Sequence, residues 1–232
     1  MREISSQGEP NSLAQWRSQY QNDINYGYNL IGAELREEVL HSLVAEQRGL
    51  CAYTGIGVTV GSSHIEHLRP QAHCLNGEDV AYKNLVACYP NPNSPYVPFG
   101  ALPKADWPPP EEQHLFVSPR STGCEQRFKF NLRGQIAATS NSDSAAIETI
   151  KRLKLDNVRL EGLRKEAIDA TLQLHGKVLR LLDLQAARRR LASLINSETS
   201  GRSLEPFCFA LKQALRKHIE RLESIRKSKR RG

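Results

Sequence analysis

The chain has 232 residues, with 32 Lys and Arg against 25 Asp and Glu, a formal net charge of +7 and 39% hydrophobic residues. Those proportions exclude a disordered polyelectrolyte and suit one domain with extensions, or two small ones. No stretch approaches the ~20 apolar residues of a membrane span, and the opening MREISSQGEPNS has no apolar signal region. The five cysteines are odd in number and scattered, which argues against a disulfide framework, so a reducing cytoplasm is the expected compartment. The basic balance fits a polyanionic partner, because neutralised phosphates release counterions.

In chain order, residues 11–49 read as helical. Ser12 is placed to cap LAQWRSQYQNDINY, and after a break near Gly27 the residues Leu35, Val39 and Leu43 fall four apart on one helix face. RGLCAYTGIGV then brings Gly49, Gly55 and Gly57, which predict turns and short strands. From 51 to about 138 the chain is irregular, and PNPNSPYVPFGALPKADWPPP carries eight of the 12 prolines. RFKFNLRGQIAA predicts a hairpin turning at Arg133-Gly134. Long helices follow: Ile147, Ile150, Leu153, Val158 and Leu160 begin one, and AIDATLQLHGKVLRLLDLQAARRRLASLI continues or doubles it. Leu211, Leu215, Ile219, Leu222 and Ile225 line a last amphipathic helix that runs into a basic tail.

The chemistry-bearing stretch is SSHIEHLRPQA, residues 62–72. It sets His64, Glu66, His67 and Arg69 close together, and Asn84 follows His67 by 17 residues in VAYKNLVAC. A metal-dependent nuclease needs these residue types: an acidic group for a divalent cation, a neutral imidazole to activate water, and a residue to hold the geometry. Pro70 and the loop CLNGED let the chain leave a hairpin and return to it.

The order acidic residue, His, Pro, loop, Asn-Leu and a Cys-bearing stretch resembles the HNH endonucleases. CAYTG, FGALPK and CEQRFKFNLRGQI, with the helix IKRLKLDNVRLEGLRKEAI, narrow the resemblance to the HNH proteins of retron and Septu anti-phage systems, over roughly residues 47–170. The resemblance implies an α+β fold: a small ββα-metal HNH core flanked by an N-terminal helical segment and a C-terminal helical bundle. The expected divisions are 1–46, 47–140 for the nuclease core, and 141–232 with the basic tail. It also implies His67 as general base, Glu66 as metal ligand for Mg²⁺ or Mn²⁺ (or Zn²⁺ or Ni²⁺), and Asn84 as the residue that steadies the loop. Arg69, with His64 and Lys104 behind it, would contact nucleic acid. Asn91, Asn93 and Asp106 are candidates for the remaining ligand. An ABC-type ATPase is the implied partner, docked through the C-terminal helices; in retrons a reverse transcriptase and its RNA–DNA product are implied as well.

The zinc knuckle of that class is at most half present. Cys51 and Cys88 remain, but Thr54 and Asn91 stand where their partners would be. Two alternatives therefore stand beside the nuclease: a degenerate HNH fold that only binds nucleic acid or scaffolds a complex, and a zinc hydrolase for a small substrate. Gly61 and Pro70 leave too short a helix for the second, and no HExxH is present. Trp107 and Phe116 are candidates for stacking on bases or for packing against the proline loop. Arg188, Arg189 and Arg190 read as a solvated helix face or as phosphate contacts.

Overall fold

The computed structural model describes residues 1–5, 7–174 and 180–229. Part of the expected helical run after Leu172, and Arg230 and Arg231 of the basic tail, lie outside the described residues. The fold is mixed α and β. Two helices open it: α1 (Asn11–Tyr20) and α2 (Ala33–Glu46). β1 (His64–His67) and β2 (Leu85–Cys88) then form an antiparallel ribbon, followed by a single helical turn, α3 (Ala101–Lys104). β3 (Phe128–Phe130) and β4 (Ile136–Ala138) make the expected second hairpin. Next come α4 (Ser144–Arg152) and α5 (Val158–Leu172), and the short paired strands β5 (Gln173–Leu174) and β6 (Arg180–Leu181). Helices α6 (Leu184–Thr199) and α7 (Cys208–Ser228) close the described chain.

Several local expectations are corrected. Ser12 caps nothing: Pro10 precedes the first turn of α1, and the Ser12 hydroxyl donates instead to Glu38 Oε1 at 2.7 Å. The run from Ile147 to Leu160 is two helices rather than one. Lys154 takes φ +46°, and the Asn157 side chain accepts from the Arg159 N–H to start α5 afresh. Asp143 and Asp183 cap α4 and α6 in the same way, through the N–H groups of Ala146 and Ala186.

Two hydrophobic cores hold these elements. The larger joins Tyr53, Phe99, Phe128, Leu153, Leu155, Leu194 and Phe209, and so runs through the central segment and the C-terminal helices alike. The smaller gathers Leu13, Val39 and Leu43 from the N-terminal helices and Ile31 from the link between them with Val80, Tyr82, Leu85 and Ala87. The ribbon lies between them. Side chains alternate along a strand, so Val86 and Cys88 enter the larger core while Leu85 and Ala87 enter the smaller. Both faces of β2 are therefore apolar, which explains why LVAC reads as an unbroken hydrophobic run.

The apolar face of α7 is covered within the fold from Phe209 to Leu215, while Ile225 near its end is exposed. Phe209, Leu211 and Leu215 are buried, and Gln213 and Lys217 reach the backbone of β3. Arg164 of α5 is 1% exposed and donates to the Gly134 carbonyl at 2.6 Å, tying the second hairpin's turn to the helix. Gly134 itself has φ +77°, and a Cβ there would run into the Glu161 carbonyl, so this turn requires glycine.

Candidate functional site

The ribbon carries the motif. Pairing aligns Glu66 with Val86 and His67 with Leu85, which assigns the two neighbouring side chains to opposite faces. Glu66 belongs to the larger-core side. Its Oε1 pairs with Lys104 Nζ at 2.9 Å and lies 3.5 Å from the Tyr53 hydroxyl. Lys104 also donates to the His67 carbonyl at 2.8 Å, so α3 is locked to the end of β1. This corrects the expectation that Lys104 contacts nucleic acid. Its side chain is 1% exposed and its charge is already engaged by Glu66.

His67 belongs to the other side. It is 7% exposed, its Nε2–H donates to the Asp79 carbonyl at 2.9 Å, and the Tyr28 ring meets its own ring edge-on at 4.6 Å. Asp79 thus fixes the tautomer and leaves Nδ1 as the bare nitrogen. Burial, helped by the nearby Lys104 charge, pushes the imidazole pKa down from 6.5 to about 4 against the opposing pull of Asp79. The Asp79 carboxylate in turn accepts the Tyr28 N–H at 2.7 Å, so one residue holds both the histidine and the aromatic ring that covers it.

Asn84 stands at the loop's closure. Its Oδ1 accepts the Arg69 N–H at 2.7 Å, and its Nδ2 donates to the Arg69 carbonyl at 3.1 Å and the Glu78 carbonyl at 3.2 Å. Both backbone groups of Arg69 are satisfied by one side chain, which pins the point where the chain leaves β1. The Arg69 guanidinium pairs with Glu78 at 3.1 Å and keeps part of its surface in solvent.

The other candidates do not converge on Glu66. His64 uses Nδ1 on the Pro90 carbonyl. Asn91 donates to the Gly61 carbonyl at 3.1 Å and accepts the Asn93 N–H at 2.9 Å. Asp106 offers its backbone carbonyl to His73 at 3.0 Å. Trp107 is buried, bonds Glu112 through Nε1 at 2.8 Å and meets Phe116 edge-on at 5.4 Å, so it packs the proline loop. Arg188 and Arg190 pair with Glu223 and Glu205.

Cys51 and Cys88 are buried neighbours. Burial alone would raise the Cys51 thiol, but bonds from Cys88, Thr54 and the Tyr89 N–H outweigh it and pull the pKa down to about 5, while burial and the Cys51 charge push Cys88 up. Thr54 and Asn91 add no sulfur, so the four ligands of a structural zinc are not assembled.

The donor set at the ribbon does not fit a divalent cation held by protein side chains. Glu66 is neutralised by Lys104, and among the described residues no three His, Cys, Asp or Glu side chains group to hold a metal. Lys104 would have to leave Glu66 before that carboxylate could serve a cation.

Sequence reasoning missed Tyr53, Asp79 and Tyr28. Tyr53 and Asp79 lie inside quoted motifs, CAYTG and CLNGED, whose polar side chains were the signal that could have found them. Tyr28 sits beyond any motif and arrives by tertiary packing alone.

No family model matches the chain, and no curated protein matches it. Among the described residues no helix is long and apolar enough to cross a membrane.

Proposed function

We propose that this chain is an HNH-type endonuclease that hydrolyses phosphodiester bonds in nucleic acid as the effector of a retron- or Septu-type anti-phage system. The observation that carries the reading is the Asn84 clamp on Arg69 beside a histidine whose tautomer is fixed by a backbone carbonyl. His67 Nδ1 takes a proton from water, the water oxygen bonds phosphorus, and the bond from phosphorus to the departing sugar oxygen breaks; that oxygen takes a proton from solvent. Arg69, with part of its surface in solvent, contacts the phosphate. The resemblance brings Mg²⁺ or Mn²⁺ with it, but the donor set gives no protein-held site, so the hydrolytic step rests on His67. The cytoplasm is the proposed compartment. An ABC-type ATPase is the proposed partner, joined in a retron setting by a reverse transcriptase and its RNA–DNA product.

A second reading has its own observations. Lys104 on Glu66 and Tyr28 over His67 favour a degenerate HNH fold that binds nucleic acid or scaffolds a complex without cutting it. One experiment separates the two. Wild type and His67→Ala, each checked for folding by circular dichroism, are incubated with plasmid DNA and with total RNA in Mg²⁺, Mn²⁺ or EDTA. Cleavage by wild type that disappears in the variant supports the nuclease and names its substrate. Silence from wild type, with and without the ATPase, leaves the degenerate reading standing.

A further inference from the structure

An open cleft of about 900 Å³ adjoins the motif, a size within the roughly 300–1,000 Å³ typical of ligand sites. One wall is Tyr28, with the Arg36 guanidinium stacked over its ring at 4.8 Å. His64, Asn91 and Asn93 line the same cleft, together with Ile65 and other apolar residues. Tyr28 is the same ring that covers His67, so the cleft and the candidate base share a wall.

The chemistry of these walls selects a ligand. Arg36 donates to the carbonyls of Tyr28 and Asn29 at 3.1 and 3.2 Å, and its buried Nε has no hydrogen-bond partner among the described residues. His64 has its Nδ1 committed to Pro90, which leaves Nε2 to accept. The Asn93 side chain is exposed and has no hydrogen-bond partner among the described residues, so its amide offers a donor and an acceptor together. Glu37 stands in the same cleft as Arg36, so the lining is close to charge-balanced and does not form a track for a phosphate backbone. Apolar side chains, the Tyr28 ring with the Arg36 guanidinium over it, and amide and imidazole groups gathered in one cleft match a nucleobase taken out of its stack.

We propose that this cleft binds an unpaired base of a single-stranded nucleic acid, next to the phosphate presented to His67. The inference rests on the nuclease reading for its substrate class, but its binding step does not depend on cleavage.

The test measures fluorescence anisotropy of labelled single-stranded DNA and RNA oligonucleotides, the matching duplexes, and strands carrying one abasic position. The proteins are wild type in EDTA, His67→Ala, and two cleft variants, Asn93→Ala and His64→Ala, with melting temperatures confirming folding. Expected is tighter binding of single strands than of duplexes, with Asn93→Ala or an abasic position costing about tenfold, the size of one lost base contact. Equal binding of abasic and intact strands, wild-type affinity in both cleft variants, or no binding of single strands by wild type would overturn the proposal. The nuclease reading fails separately: an intact base-dependent affinity with no cleavage by wild type keeps the cleft and removes the enzyme. Cleavage lost in His67→Ala with no base dependence does the reverse.

Discussion

Lys104 and Glu66 form an ion pair at 2.9 Å on the larger-core side of the ribbon, and the same ammonium holds the His67 carbonyl at 2.8 Å. A lysine that is 2% exposed keeps its charge in a core only if partners replace water. Lys104→Met leaves the Glu66 carboxylate without its counter-ion, and the expected loss is roughly 3 kcal/mol in urea unfolding. Adding Glu66→Gln to that variant should return part of the loss. An equal change in stability from Glu66→Gln in wild type and in Lys104→Met would show that the two side chains are not coupled.

Asn84 is expected to act on stability before chemistry. Asn84→Ala leaves the Arg69 N–H without its acceptor and the Arg69 carbonyl with only the weak Cys74 thiol donor at 3.4 Å, at a cost of about 1–3 kcal/mol. Asn84→Asp keeps the acceptor for Arg69 N–H but loses the amide donors, so it should fall between wild type and alanine. Denaturant unfolding of the three proteins, with exchange protection of the Arg69 amide, checks the order.

His67 sets a pH window. Its folded pKa is about 4 against an ordinary 6.5, so between those values the unfolded chain binds a proton that the fold refuses. The stability His67 contributes is complete above pH 6.5 and is lost as pH falls toward 4, by roughly 3 kcal/mol over the window. His67→Gln should flatten that part of the profile. An unchanged slope between pH 6.5 and 4 would place the titrating group elsewhere.

The cover on His67 gives a spectroscopic test. Tyr28→Ala removes the ring 4.6 Å away and admits water, so the imidazole pKa should move up toward 6.5 in an NMR titration. Tyr28→Phe keeps the ring and should leave the pKa low. Equal values in the two variants would mean that the Tyr28 ring is not what dries the site.

How much of this was readable in sequence divides along physical lines. Helices α2 and α7 followed from apolar spacing, because Val39, Leu43, Leu211 and Leu215 do enter the cores. The hairpin at Gly134 followed from turn chemistry and strand alternation. The motif order brought Glu66, His67 and Asn84 to one ribbon and its closing loop. The faces were not legible. Adjacent residues on a strand point apart, so Glu66 and His67 fall on opposite sides of the ribbon, and only the pairing register shows which core each one meets. Lys104 misled because a lysine in a proline-rich loop ordinarily lies at the surface, and its burial depends on Glu66, a residue 38 positions earlier. Tyr28 was invisible for the same reason.

Gly55, two residues after Tyr53, has φ +75°, and a Cβ there would collide with the Phe209 ring of the last helix. Tyr53 in turn reaches Glu66. During synthesis, then, the surroundings of Glu66 stay unfinished until residue 209 has been made and α7 has docked. A nascent chain carries the whole HIEH motif through the addition of 142 further residues, from His67 to Phe209, without the wall that shapes one side of it, so assembly of this site is tied to the docking of α7.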